Sequence, residues 1–245
     1  MALDRDTRFT WYGHSCLEVT TPGGKTLLLD PWFGNPRSPK TADSVDRCDV
    51  LLVSHGHFDH MGQGDAVGIG SRLQPAWPCM HELSLWLGRN LGGGREGVIG
   101  MNAGGTVETN GIKVTMTPAI HSAGDWNGDG ATTLYLGDPI GFVVELENGF
   151  RFYFAGDTTV FGDMRLIGEL YRPDLALLPI GGHYTMGPRE AALAVEMLGA
   201  KNVLPIHYGT FPILTGTPAA LRDELAARGV RDVTVHELQP GETLN

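Results

Sequence analysis

Three of the nine histidines in this 245-residue chain fall within six consecutive positions, His55-Gly56-His57-Phe58-Asp59-His60. They follow directly on Asp49–Ser54, an apolar run after an acidic start, which suits a buried strand. The histidines are therefore expected in a loop at the strand's carboxyl end, where α/β sheets place ligands. Imidazole and carboxylate are natural ligands of Zn, Mn or Fe(II), each held at roughly 2.0–2.2 Å from the ion. The glycine between His55 and His57 lets both rings converge on one ion, with Asp59 and His60 turned toward a neighbouring site. Three later residues also close strand-like runs: His121 after Val114–Ile120, Asp157 after Phe152–Gly156, and His207 after Val203–Ile206. A lone histidine after a strand is usually exposed or hydrogen-bonded. Several of them at strand ends, beside such a cluster, reinforce one another. A carboxylate such as Asp157 can bridge two cations and offset their repulsion.

The rest of the chain is expected to fold as one domain, residues 1–245. Its 42% hydrophobic and 19% charged residues exclude disorder, and its length can bury one large core. Gly and Pro are scattered, so no linker divides the chain. A net charge of −10 argues against nucleic-acid binding, which needs a basic face. Cys16, Cys48 and Cys79 are an odd number without paired spacing, which suggests a reducing compartment. The charged start Met1–Arg8 has no apolar core of a signal peptide, and no apolar window reaches ~18 residues. The expectation is a cytoplasmic protein without membrane insertion.

Short strands are expected at Arg8–Trp11, Ser15–Thr20, Thr26–Leu29, Thr106–Glu108, Ile112–Thr117, Gly141–Leu146 and Arg151–Ala155, with Asn148-Gly149 turning the last pair. Helices are expected at Gln63–Ser71 and His81–Asn90. The rhythm then alternates: helix Gly162–Tyr171, strand Leu175–Pro179, helix Pro188–Leu198, strand Asn202–Ile206, helix Pro218–Arg228 capped by Thr217, strand Asp232–His236. Two strand-rich sets, each followed by helices, fit an α/β four-layer αββα sandwich; pattern alone also fits a single mixed sheet.

The motif His55-x-His57-x-Asp59-His60, followed by His121, Asp157 and His207, resembles the metallo-β-lactamase superfamily of binuclear hydrolases. Further stretches are similar to a branch of uncharacterised metal-dependent hydrolases: Gly13-His14-Ser15, Asp30-Pro31-Trp32, Thr117-Pro118-Ala119-Ile120-His121-Ser122 and Pro205-Ile206-His207-Tyr208-Gly209-Thr210-Phe211. That branch lies near the ascorbate-6-phosphate lactonases and the N-acylethanolamine-phospholipid phospholipases D. The resemblance runs from about residue 8 to 240.

It implies two divalent transition-metal ions, Zn foremost, with Mn or Fe as alternatives. His55, His57 and His121 would hold one; Asp59, His60 and His207 the other; Asp157 would bridge. It further implies a hydroxide bridging the ions, cleaving an ester-type bond (a lactone, phosphoester or phosphodiester) in a small, anionic or ester-like molecule. Asp59 would orient the water or relay its proton. His183, in a Gly-rich turn, is a candidate general acid or substrate contact, set against a plain loop histidine. His14 and Tyr208 are candidate substrate contacts, set against structural packing. Gly124–Asp138 reads as a lid or a hairpin excursion, and His81 and His236 as surface residues. The 38 residues after His207 leave no room for the second domain of thiol-esterase or redox relatives. A non-hydrolytic metal-binding sensor or scaffold, or an iron-loaded redox protein, is the alternative. All seven ligand positions carry competent residues, which favours an enzyme. A homo-oligomer is also expected.

Overall fold

The computed structural model describes residues 6–91, 96–126 and 133–245, without the side chains of Asp125 and Trp126. The charged start before residue 6 and the centre of the Gly124–Asp138 excursion lie outside the described residues.

Two sheets form the centre. The first has five strands, in the order Thr243–Leu244, Arg8–Trp11, Leu17–Thr20, Thr26–Leu29, Val50–Leu52. Its neighbours are antiparallel except the last pair. The second has seven, in the order Thr234–Val235, Asn202–Ile206, Leu175–Pro179, Arg151–Phe154, Ile140–Glu145, Ile112–Pro118, Thr106–Thr109. Its first four strands are mutually parallel and the rest antiparallel. The sheets face each other: the Phe9 ring meets Phe152 edge-on at 5.2 Å, and Thr21 donates to Glu147 at 2.8 Å.

Strands covered on both faces are continuously apolar, as such strands must be. Leu27–Leu29, Val50–Val53 and Leu175–Leu178 are fully buried. Helices cover the outside, giving the αββα sandwich. On the second sheet, Pro188–Leu198 starts with Pro188 and ends at Gly199 in the left-handed conformation, φ 65°. It buries Ala191, Ala192, Ala194, Val195 and Leu198. In Pro218–Ala227 the Thr217 hydroxyl accepts from the Ala220 amide at 3.1 Å, the expected cap. The first helix expected from the sequence lies at Asp65–Leu73, two residues late, because Gly62–Gly64 forms a separate 3-10 turn. Among the described residues, no helix is long and apolar enough to cross a membrane.

The parallel pair Trp77–Met80 and Val98–Met101 was not legible as strands. Pro78 interrupts one and Gly100 the other, both of which weaken a strand signal. The bridge of Val50 to Ala76 continues the first sheet into this pair.

Candidate metal centre

His55, His121, Asp157 and His207 each stand just beyond a strand's carboxyl end, after Val50–Leu52, Ile112–Pro118, Arg151–Phe154 and Asn202–Ile206. The segment read as a loop is partly helical. His57 is the N-cap of a single turn, Phe58–Met61, which turns His60 inward and leaves Phe58 at the surface. Gly56 must be glycine. A Cβ there would meet the Ala123 carbonyl oxygen and Leu136 Cδ1, both at 2.8 Å. Gly156, at φ 61°, gives the chain the turn that aims Asp157 into the cluster.

The seven residues come together. Donor atoms of His55, His57 and His121 lie within 4.8 Å of one another; so do those of His14, Asp59, His60 and His207, and those of His55, His60 and Asp157. A hydrogen-bonded shell fixes which ring nitrogen faces the centre. Asp30 accepts from the Ser54 amide and hydroxyl, each at 2.7 Å, and from His60 Nδ1 at 2.6 Å. His60 is thereby left with Nε2 pointing inward. Since the Ser54 hydroxyl donates to Asp30, it accepts from His55 Nδ1 at 3.0 Å, and His55 also offers Nε2.

The electrostatics follow from this crowding. Burial would raise Asp157 and Asp59, but the imidazoles around them prevail: His207 and His60 hold Asp157 well below the usual carboxylate range, and His60 and His14 hold Asp59 below it. Burial would lower His60, yet Asp157, Asp30 and Asp59 hold it well above an ordinary imidazole. Burial lowers His55, His57 and His121, with the neighbouring His60 adding to the effect. One imidazole thus keeps a proton that three carboxylates demand, while three others stay neutral.

The donor set fits divalent cations. His60 Nε2, Asp157 Oδ1 and both His207 ring nitrogens are buried without a hydrogen-bond partner. His207 Nε2 nevertheless lies 3.0 Å, and His60 Nε2 3.3 Å, from Asp157 Oδ2. Orphaned buried polar atoms are costly unless something pairs them. Imidazole nitrogens and carboxylate oxygens without thiolate suit Zn, Mn or Fe(II).

The remaining sequence candidates are placed as follows. His14 is fully buried, at φ 53°, with its ring 3.9 Å from that of His207. Burial and His207 pull it down to about 4, so the neutral ring donates from Nε2 to Asp59 at 3.0 Å and accepts from Thr210 at Nδ1, 2.9 Å. It grips Asp59 from behind instead of standing on an open surface. Tyr208 stacks on Trp11 at 5.1 Å, turned into the core, where burial pushes its phenol up to about 12. His183 is exposed, at φ 60°, with its ring edge-on to Tyr184 at 4.4 Å. His81 is exposed, whereas His236 is half-buried and bonded to Asn202 at 3.0 Å.

A cavity of about 690 Å³ opens over the cluster, with His57, Asp59, His121 and His207 on its floor. Phe58, Tyr184, Phe211 and Ile213 wall it, with Ser122 at one side. Sequence reasoning does not single out these four or Asp30. An acidic residue closing the apolar strand Thr26–Leu29 was the available signal for Asp30, because a buried carboxylate demands partners.

The beta-lactamase superfamily domain matches residues 25–208. The chain is similar to a UPF0173 metal-dependent hydrolase of Koribacter versatilis, 46% identical over 237 residues, covering 96% of this chain and 97% of that one. A second, from Rubrobacter xylanophilus, is 46% identical over 239 residues, covering 97% and 96%. Among solved structures it is similar to Igni18, described as a metallo hydrolase of the archaeon Ignicoccus hospitalis. There the TM-score is 0.82 at 34% identity, with 97% of each chain covered.

Proposed function

The chain belongs to the beta-lactamase superfamily, among its UPF0173 metal-dependent hydrolases, and from that premise we propose that it hydrolyses an ester-type bond in a small molecule at a binuclear centre. His55, His57 and His121 would hold one divalent ion and Asp59, His60 and His207 the other, with Asp157 serving both; the donor atoms of these residues fall in overlapping clusters. The observation that carries this reading is the convergence of imidazole and carboxylate donors in three overlapping groups, with Asp157 Oδ1 and His207 Nδ1 buried and unpartnered among them.

Bound divalent ions supply an acidified water and an electrophile for the substrate's oxygen. The protein's own part is orientation. Asp30 and Ser54 fix the rings of His60 and His55, and His14 fixes Asp59, whose carboxylate would orient the attacking water. In the net reaction water adds to the carbonyl or phosphorus centre and the ester oxygen leaves with a proton. Tyr184, in the Gly-rich turn, supplies a substrate contact at the cavity mouth.

Turnover of a panel of lactones, carboxylic esters and phosphodiesters is the test. The proposal expects hydrolysis that stops on chelation and returns with Zn or Mn. Hydrolysis unaffected by metal removal, or none with two ions bound, contradicts it.

A further inference from the structure

Among the described residues, the cavity over the metal centre is lined by no Lys or Arg. Its walls are Phe58, Tyr184, Phe211 and Ile213, three of them substantially open to solvent: Phe58 40%, Tyr184 57% and Ile213 45%. Isolated apolar side chains on a surface are ordinary, but four converging on one concave site beside reactive groups are not.

The sequence of the surrounding loops makes the same point independently. No Lys or Arg occurs in Ser54–Gly64, in His121–Phe150, in Ile180–Pro188 or in His207–Leu221. The adjoining loop Asp30–Lys40 does carry cations, Arg37 and Lys40, and each has a partner of its own. Arg37 lies over the Trp11 ring at 5.6 Å, and Lys40 pairs with Glu18 at 2.9 Å. Recognition of a phosphate or carboxylate on a substrate normally calls on Arg or Lys, or on a helix N-terminus. Two divalent ions bring four positive charges, but Asp30, Asp59 and Asp157 offset three of them. The −10 charge of the whole chain further disfavours the approach of an anion.

We propose that the substrate is an uncharged carboxylic ester or lactone carrying an aliphatic or aromatic arm. The arm lies against Phe58, Phe211, Ile213 and Tyr184, while the carbonyl meets the floor formed by His57, Asp59, His121 and His207. This deepens the hydrolytic reading above and rests on it for the bond that breaks. Water adds to the acyl carbon, the acyl–oxygen bond breaks, the alcohol leaves with one proton, and the acid is released as carboxylate with loss of the second. Phosphorylated sugars and phosphodiesters rank below uncharged esters, since no described wall residue pairs a phosphate's charge and only the ions at the floor would.

Two readouts on the full chain test it. The first is calorimetric titration of linear alcohols, 1-butanol to 1-octanol, into metal-free and Zn-loaded protein. Affinity is expected to rise about three- to fourfold per methylene until the cavity is full. It should be similar with and without metal, and at least fivefold weaker for 1-hexanol in Ile213→Asp at unchanged metal content. The second is kcat/KM of the Zn-loaded enzyme on 4-nitrophenyl acetate through octanoate against bis(4-nitrophenyl) phosphate. It should climb with chain length and exceed the phosphodiester at least tenfold. Alcohols that fail to bind, a flat chain-length series, or a preferred phosphodiester overturns the assignment. Alcohol binding intact with no ester or phosphodiester turned over supports the apolar cavity and rejects the hydrolytic reading instead.

Discussion

Asp157 is the residue on which the clustered imidazoles converge, since its Oδ2 lies within 3.6 Å of donor nitrogens on His60, His121 and His207. Asp157→Ala is therefore expected to abolish metal retention and turnover together, measured as bound metal and kcat on the same preparation. Asp30 acts one step removed. Asp30→Asn keeps the volume but loses an acceptor oxygen, so metal affinity is expected to fall about 10- to 100-fold while the fold persists; chelator-competition titration measures it. Of the two neighbours in the Gly-rich turn, Tyr184 lines the cavity, so Tyr184→Ala should raise KM severalfold while His183→Ala stays within about twofold in kcat/KM. The convergence of these His and Asp residues was legible in the sequence because that spacing after apolar runs has few other uses. Asp30 was harder to find, because its role depends on a hydrogen bond to His60, thirty positions away. The orientation of Tyr208 was likewise invisible: an aromatic beside a ligand can face either way, and here the Trp11 ring holds it inward.

At the scale of elements, caps and turns made the C-terminal half easy to read. Pro188, Thr217 and the Gly-punctuated ends mark helices by local chemistry alone. The pair Trp77–Met80 and Val98–Met101 has no such marks, and it joins segments about twenty residues apart beside the bridge of Ala76 to Val50. The turn Phe58–Met61 is too short to leave a periodic signal, yet it separates His60 from the exposed Phe58. Gly56 sets how closely this turn approaches the loop after His121. Gly56→Ala forces a Cβ against Ala123 and Leu136, at a cost of about 1–3 kcal/mol. Thermal unfolding should show a lowered Tm, and binding titrations should show weaker metal uptake at His55, His57 and His121.

For the molecule as a whole, the αββα arrangement places the candidate ligands on one edge of the paired sheets, so metal binding would be linked to global stability. Ions that bind only the folded state stabilise it by about 2.7 kcal/mol at a hundredfold excess over Kd. Removing them is expected to lower Tm by several degrees in calorimetry, reversibly on adding Zn or Mn. The three cysteines are all buried, and burial pushes Cys48 and Cys79 up to about 12. They should resist a thiol reagent at pH 8 in the native state and react only after denaturation. The most direct measurement of the central claim is metal content per chain, by plasma mass spectrometry on protein purified without tags or chelators. The account predicts about two transition-metal ions per chain in the natural sequence and a loss of both in Asp157→Ala. A chain that holds none, and takes up none when Zn or Mn is supplied, contradicts it.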